Sequence, residues 1–153
     1  ATGRKAKLAL MATTAATGAE CSPFAVLKND KGEKCVIANY NLIPEMAVID
    51  SVFSETVSAE LAKNGGLTVL SLAVRAYTAP GASEYTQGFA REAVSMTERF
   101  AAEVLQADSL HAFIHPQNES SIAFIKAIGY EKLELPGEDG VLVWQKNLQK
   151  GRI

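Results

Sequence analysis

The stretch Thr86-Gln87-Gly88-Phe89-Ala90-Arg91 sets a glycine and an alanine two positions apart at the head of a long helical periodicity. Glycine lacks a Cβ, so backbone N–H groups can converge on a ligand, and the first turn of a helix carries partial positive charge. That combination suits a phosphate. Gly88 and Ala90 would keep side chains clear of a bound diphosphate, and Gln87 and Arg91 would add donors. A glycine that only opens a helix and permits close packing accounts for the same residues. His111 and His115, four apart on an expected strand, raise a metal question. Residues at that spacing along a strand are too far apart for easy joint ligation and no third ligand accompanies them, so no metal is expected.

These residues need elements to hold them. The order 67–74 (Leu-Thr-Val-Leu-Ser-Leu-Ala-Val), a near-continuous apolar run, predicts a central strand covered on both faces. A loop over 75–87 follows, marked by Pro80-Gly81. Phe89, Ala93, Met96, Phe100 and Val104 then trace one face of a helix of about four turns. Residues 109–115 predict a second strand, parallel to the first through a right-handed crossover. Asn118 caps a short helix that carries Ile122, Ile125 and Ile128 and stops at Gly129. The segments 131–135 and 141–148 close as a hairpin around Pro136-Gly137-Glu138-Asp139-Gly140.

The first third reads differently. Residues 24–42 predict a hairpin around Asn29-Asp30-Lys31-Gly32, and Val52, Val57 and Leu61, at mixed helical spacing, a short helix that ends at Asn64-Gly65-Gly66. The Ala-rich first 23 residues predict an amphipathic helix in an atypical N-terminal segment. Cys21 and Cys35 match neither a zinc spacing nor a disulfide framework, which predicts reduced, half-buried thiols. With 153 residues, 48% of them apolar, the chain is expected to form a single domain over 1–153. A formal charge of −2 without a basic block argues against a nucleic-acid partner. No apolar run is long enough to span a bilayer, so no membrane partner and a cytoplasmic location are expected.

Residues 67–148 resemble the GNAT N-acetyltransferases. The likeness is most specific in Thr86 to Val94 and in His115 to Tyr130, where Asn118 and Gly129-Tyr130 stand at the family's positions. It implies an α/β (α+β) GNAT fold, a mixed and mostly antiparallel central sheet flanked by helices. It also implies acetyl-CoA as cosubstrate, with the amides around Gln87, Gly88, Phe89, Ala90 and Arg91 holding the pyrophosphate. Leu72, Ala73, Val74 and Arg75 would supply the pantetheine ladder and an oxyanion donor. Asn118 and Ser121 would face the coenzyme arm, a role compatible with capping.

The implied reaction is transfer of an acetyl group to a primary amine of a small molecule or protein in a ternary complex. A neutral amine, an oxyanion donor and a proton acceptor are needed. Glu45 and Glu84 are the candidate bases, with Asp50 a third. The family often has a tyrosine four positions before the closing glycine; here it is Ile125, and Tyr85 stands where Gln or Arg is usual. The alternative is a non-catalytic, antizyme-like GNAT-fold module that binds proteins. A homodimer through the edge of the last hairpin is a further expectation.

Overall fold

The computed structural model describes residues 6–135 and 140–149. Three α-helices and three small sheets, of two, two and three strands, make an α+β arrangement among the described residues, and the chain divides into two compact units, Ala1–Gly65 and Gly66–Ile153.

In the first unit, β1 (Ala9–Ala12) pairs in parallel with β4 (Met46–Ile49), Ala9 opposite Met46 and Ala12 opposite Ile49. The N-terminal segment is thus a strand and a 3-10 turn at Ala19–Cys21, where an amphipathic helix was expected. Its apolar residues are alternately half-buried along β1, the period of a strand. Between the paired strands, β2 (Phe24–Lys28) and β3 (Lys34–Ala38) form the expected antiparallel hairpin. The Asn29 side chain accepts from the N–H groups of Lys31 and Glu33, and Gly32 takes φ 79°, which closes the turn. The two cysteines are free, as expected, but exposed.

This unit has little core of its own. Phe24, Val26, Leu27 and Val36 in the hairpin are 58%, 62%, 54% and 69% exposed, and Gly65 is the one buried residue among those described. Two-stranded sheets without a covered apolar face are marginal, so turns and local backbone bonds carry much of the order here.

The largest departure from expectation follows. Residues 67–74 are helical, within α1 (Ala59–Thr78), which runs unbroken through Asn64-Gly65-Gly66. A short apolar run cannot by itself distinguish a buried strand from a buried helix, and the partly or fully buried positions decide it. Leu70, Ala73, Val74 and Tyr77 pack on the core of the second unit at the i, i+3, i+4, i+7 spacing of a helix face. Ser58 Oγ accepts from Leu61 N–H at the start, and Pro80 stands just beyond the end. The glycines are not a stop signal. A Cβ at Gly65 would lie 2.6 Å from the carbonyl oxygen of Ala15, so glycine is required by close backbone approach.

Helix α2 (Glu84–Glu103) opens at Glu84, earlier than Gly88, under the side chain of Ser83, which accepts from Thr86 N–H at 3.2 Å. The expected loop over 75–87 shrinks to Ala79–Ser83. Its buried face also differs from expectation. Ala90, Val94, Ala101 and Ala102 are buried, whereas Phe89, Met96 and Val104 are 78%, 54% and 64% exposed. Small side chains let the core approach that helix closely, which a reading weighted toward bulky residues misses.

Strand β5 (Ser109–Ile114), helix α3 (Glu119–Ala127), β6 (Glu131–Lys132) and β7 (Leu142–Asn147) complete the second unit. The expected strand, capped helix and closing hairpin are present, but β5 pairs antiparallel with β7 instead of in parallel with 67–74. The sheet order is β5-β7-β6, so β7 is covered on both sides and the free edge of the hairpin is the two-residue β6. Pro136 to Asp139 of the expected turn lie outside the described residues. Phe124, Ile125, Tyr130, Val143 and Trp144 are buried, and the rings of Tyr77 and Phe124 meet at 4.1 Å.

Two glycines should respond in opposite ways. Gly65→Ala is expected to destabilise the fold by about 1–3 kcal/mol through the forced backbone shift. A Cβ at Gly88 meets nothing within 4 Å, so Gly88→Ala should stabilise by about 0.5–1 kcal/mol. Urea titrations of both variants check the signs.

Candidate functional site

The residues expected to bind a coenzyme are distributed over three helices. Leu72, Ala73 and Val74 lie in α1, and their amides belong to its hydrogen-bond ladder, so they do not offer a free strand edge. Arg75 is exposed on the same helix. Gln87, Gly88, Phe89, Ala90 and Arg91 lie beyond the first three residues of α2, and the Gln87 N–H is already donated to the carbonyl of Ser83. Gly88 therefore does not head a helix.

Ala73 and Ala90 do come together, but as core residues of one apolar cluster with Val94, Phe124 and Ile125. Arg91 Nη2 donates to the hydroxyl of Tyr77 at 3.2 Å, its guanidinium 5.5 Å from that ring's centre. This ties α2 to α1 by a polar and cation–π contact. The two helices are thus clamped where the sequence suggested a cradle.

Asn118 behaves as expected of a cap. Its Oδ1 accepts from Ser121 N–H and from Ser120 Oγ, both at 3.2 Å, at the start of α3. Ser121 is 8% exposed, buried in the first turn of α3. At the far end Gly129 takes φ 90°, and the N–H of Tyr130 returns to the carbonyl of Ile125 at 3.0 Å.

Of the expected bases, Glu84 is exposed in the first turn of α2, where a carboxylate favours the helix dipole. Glu45 has a structural task. Its Oε2 accepts from Leu8 N–H at 2.8 Å, and its own N–H donates to the Leu8 carbonyl at 3.0 Å. That pair starts the β1–β4 register at its amino edge.

The carboxyl edge of the same parallel pair is a candidate that sequence reasoning missed. Beyond Ala12 and Ile49 stand Thr13 and Asp50, and the loop continues as Thr14-Ala15-Ala16-Thr17-Gly18, with Gly18 at φ 63°. Asp50 accepts from Val52 N–H at 3.0 Å. Ligands of parallel sheets gather outside the carboxyl ends of the strands, and hydroxyls with short side chains suit phosphate or ribose oxygens. The signal was available. A small, hydroxyl-rich run after an apolar strand is legible once the first segment is read as a strand.

Metal ligation finds no support in the donor set. His111 and His115, the chain's two histidines, belong to the second unit, and His115 Nδ1 accepts from Gln117 N–H. Among the described residues no three His, Cys, Asp or Glu side chains stand where they could share an ion. No helix among them is long and apolar enough to cross a membrane.

Comparison with known proteins gives two likenesses. The iron-containing alcohol dehydrogenase family matches residues 1–51, and the acetyltransferase (GNAT) domain matches residues 72–131. Aldehyde-alcohol dehydrogenase 2 of Entamoeba histolytica is 41% identical over 95 residues, which are 61% of this chain and 11% of that protein. The aldehyde-alcohol dehydrogenase of Streptococcus pneumoniae is 37% identical over 123 residues, 79% of this chain and 14% of its own length. The iron-containing alcohol dehydrogenase of Thermococcus thioreducens superposes with a TM-score of 0.59 at 32% identity, over 61% of this chain and 25% of that one. The chain therefore spans about a quarter or less of these relatives. A match of 123 of the 153 residues necessarily includes α1 and α2, so the two likenesses overlap there. The GNAT likeness has a family match behind it, while the structural likeness is to dehydrogenases.

Replacing Asn118 by alanine removes the one side-chain cap of α3. Asn118→Ala should cost about 1 kcal/mol, with Asn118→Asp close to neutral. Thermal unfolding followed at the Trp144 fluorescence reads this directly.

Proposed function

We propose that this chain serves alcohol–aldehyde oxidoreduction, its first unit together with α1 and α2 providing part of a dehydrogenase framework. The observation that carries this reading is the continuous helix over Ala59–Thr78, in a stretch that the dehydrogenase relative shares and where acetyl transfer would call for an extended strand. The chemistry is removal of a hydride from the carbinol carbon and a proton from the hydroxyl, so a hydride acceptor must bind. A nicotinamide dinucleotide fits the loop from Thr13 to Gly18 at the carboxyl edge of β1 and β4, where backbone amides and threonine hydroxyls would hold its phosphates.

The matched family is named for iron, and the residues of this chain do not fit it. Its histidines sit outside the 1–51 match and no three donors converge among the described residues, so no step is routed through a metal.

A second reading rests on the acetyltransferase match over 72–131 and on the capped α3 within it. In that reading Asn118 and Ser121 contact acetyl-CoA, Glu84 accepts the proton, and an amine is the acceptor. The helical state of Leu72–Arg75 removes the amide ladder that acetyl transfer would use. Coenzyme binding is what the second reading retains.

Calorimetric titration of the full chain with NADH, NADPH, acetyl-CoA and CoA separates the two. Saturable dinucleotide binding is expected, weakened tenfold or more by Thr17→Glu in the loop. Binding of acetyl-CoA alone would replace the first reading by the second, and binding of neither class would overturn both. Elemental analysis after expression with added iron should find far less than one iron per chain; one equivalent would refute the reading of the donor set.

A further inference from the structure

Three side-chain polar atoms are buried without a hydrogen-bond partner among the described residues: Glu98 Oε1, the Tyr130 hydroxyl and Trp144 Nε1. Two of these side chains share a cation. Lys146 Nζ donates to Glu98 Oε2 at 2.7 Å and to the Ile128 carbonyl at 2.6 Å, and stands 5.8 Å from the centre of the Tyr130 ring. An ammonium group has three N–H donors, so one lies outside these two bonds. Glu98 Oε1 brings unused lone pairs, and Tyr130, 4% exposed, brings a hydroxyl able to donate and accept.

Burying such groups unpaired costs the desolvation of each, and native cores pair them with protein or with internal water. The demands here are complementary. We propose that one internal water closes the cluster, accepting from the third Lys146 N–H and from the Tyr130 hydroxyl and donating to Glu98 Oε1. Three partners are typical of a buried water. The site ties α2, the end of α3 and β7 through a single hydrogen-bonded hub, and neither functional reading uses it. Burial, followed by the charge of Glu98, pushes the Tyr130 phenol above its ordinary range, which keeps its proton available for donation.

A double-mutant cycle on the full chain, with Tyr130→Phe and Glu98→Gln, tests the hub, read together with a high-resolution crystal structure. Each single change is expected to lower Tm by about 2–4 °C, and the pair by less than the two together. The crystal structure should show a water within hydrogen-bond reach of Glu98, Tyr130 and Lys146. Tyr130→Phe that leaves Tm unchanged or raises it, with additive effects, would mean an orphan hydroxyl and overturn the proposal. Coupled variants with the phenol bonded directly to the carboxylate and no water between them would overturn it as well.

Discussion

The close approach of Ala15 to Gly65 sets the terms for the rest of the molecule. No side chain larger than hydrogen fits between that carbonyl and helix α1, so one atom decides whether the loop after β1 can lie where it does. The usual cost of glycine in a helix interior, about 1 kcal/mol, is accepted at two successive positions. At the next one, Gly66, a Cβ would meet Thr97 and Phe100 of α2 at 3.7 and 4.0 Å, an ordinary contact. The first glycine is therefore a requirement, and the second a tolerance.

With α1 continuous, the chemistry of residues 66–78 changes character. A peptide N–H donates in one direction at a time. Amides that close helical turns cannot also present a ladder to pantetheine or point at an oxyanion. The near-continuous apolar run over 67–74 that suggests a strand hides the periodicity that does matter, Leu70, Ala73, Val74 and Tyr77. Arg91 and Tyr77 then lock α2 beside it. Of the residues that would have formed a phosphate cradle, Ala90 is buried in helix packing and Arg91 is bonded to Tyr77, while Gly88 and Phe89 are exposed.

The pattern of what could be read from the sequence follows from which signals were local. The hairpin around Asn29–Gly32, the Asn118 cap, the Gly129 stop and the closing strands each rest on side chains acting within a few residues, and each is present. Where tertiary contact decides, local signals mislead. Gly65-Gly66 looks like a helix stop until Ala15 is seen against it, and Ala90, Ala101 and Ala102 look unimportant until they are found buried where Phe89 and Met96 are not. The candidate site suffered from the same cause, since the loop from Thr13 to Gly18 acquires meaning only when Ala9–Ala12 is a strand paired in parallel with β4.

Two family likenesses meeting on one pair of helices are less contradictory than their names suggest. An N-capped amphipathic helix with a small-residue face, such as α2, satisfies packing demands common to many folds and carries little information about reaction type. The informative segments lie on either side of it. Before α2, the parallel pair lies within residues 1–51, which the iron-containing alcohol dehydrogenase family matches, and the helical 66–78 stretch lies within the length shared with the Streptococcus relative. After it, β5 and α3 lie within the acetyltransferase match, which ends at residue 131 where β6 begins. Chemistry follows from how backbone groups are committed. The helical ladder over 66–78 commits amides that an extended strand would leave free, while Thr13, Thr14 and Thr17 stand exposed beyond the carboxyl edge of β1 and β4.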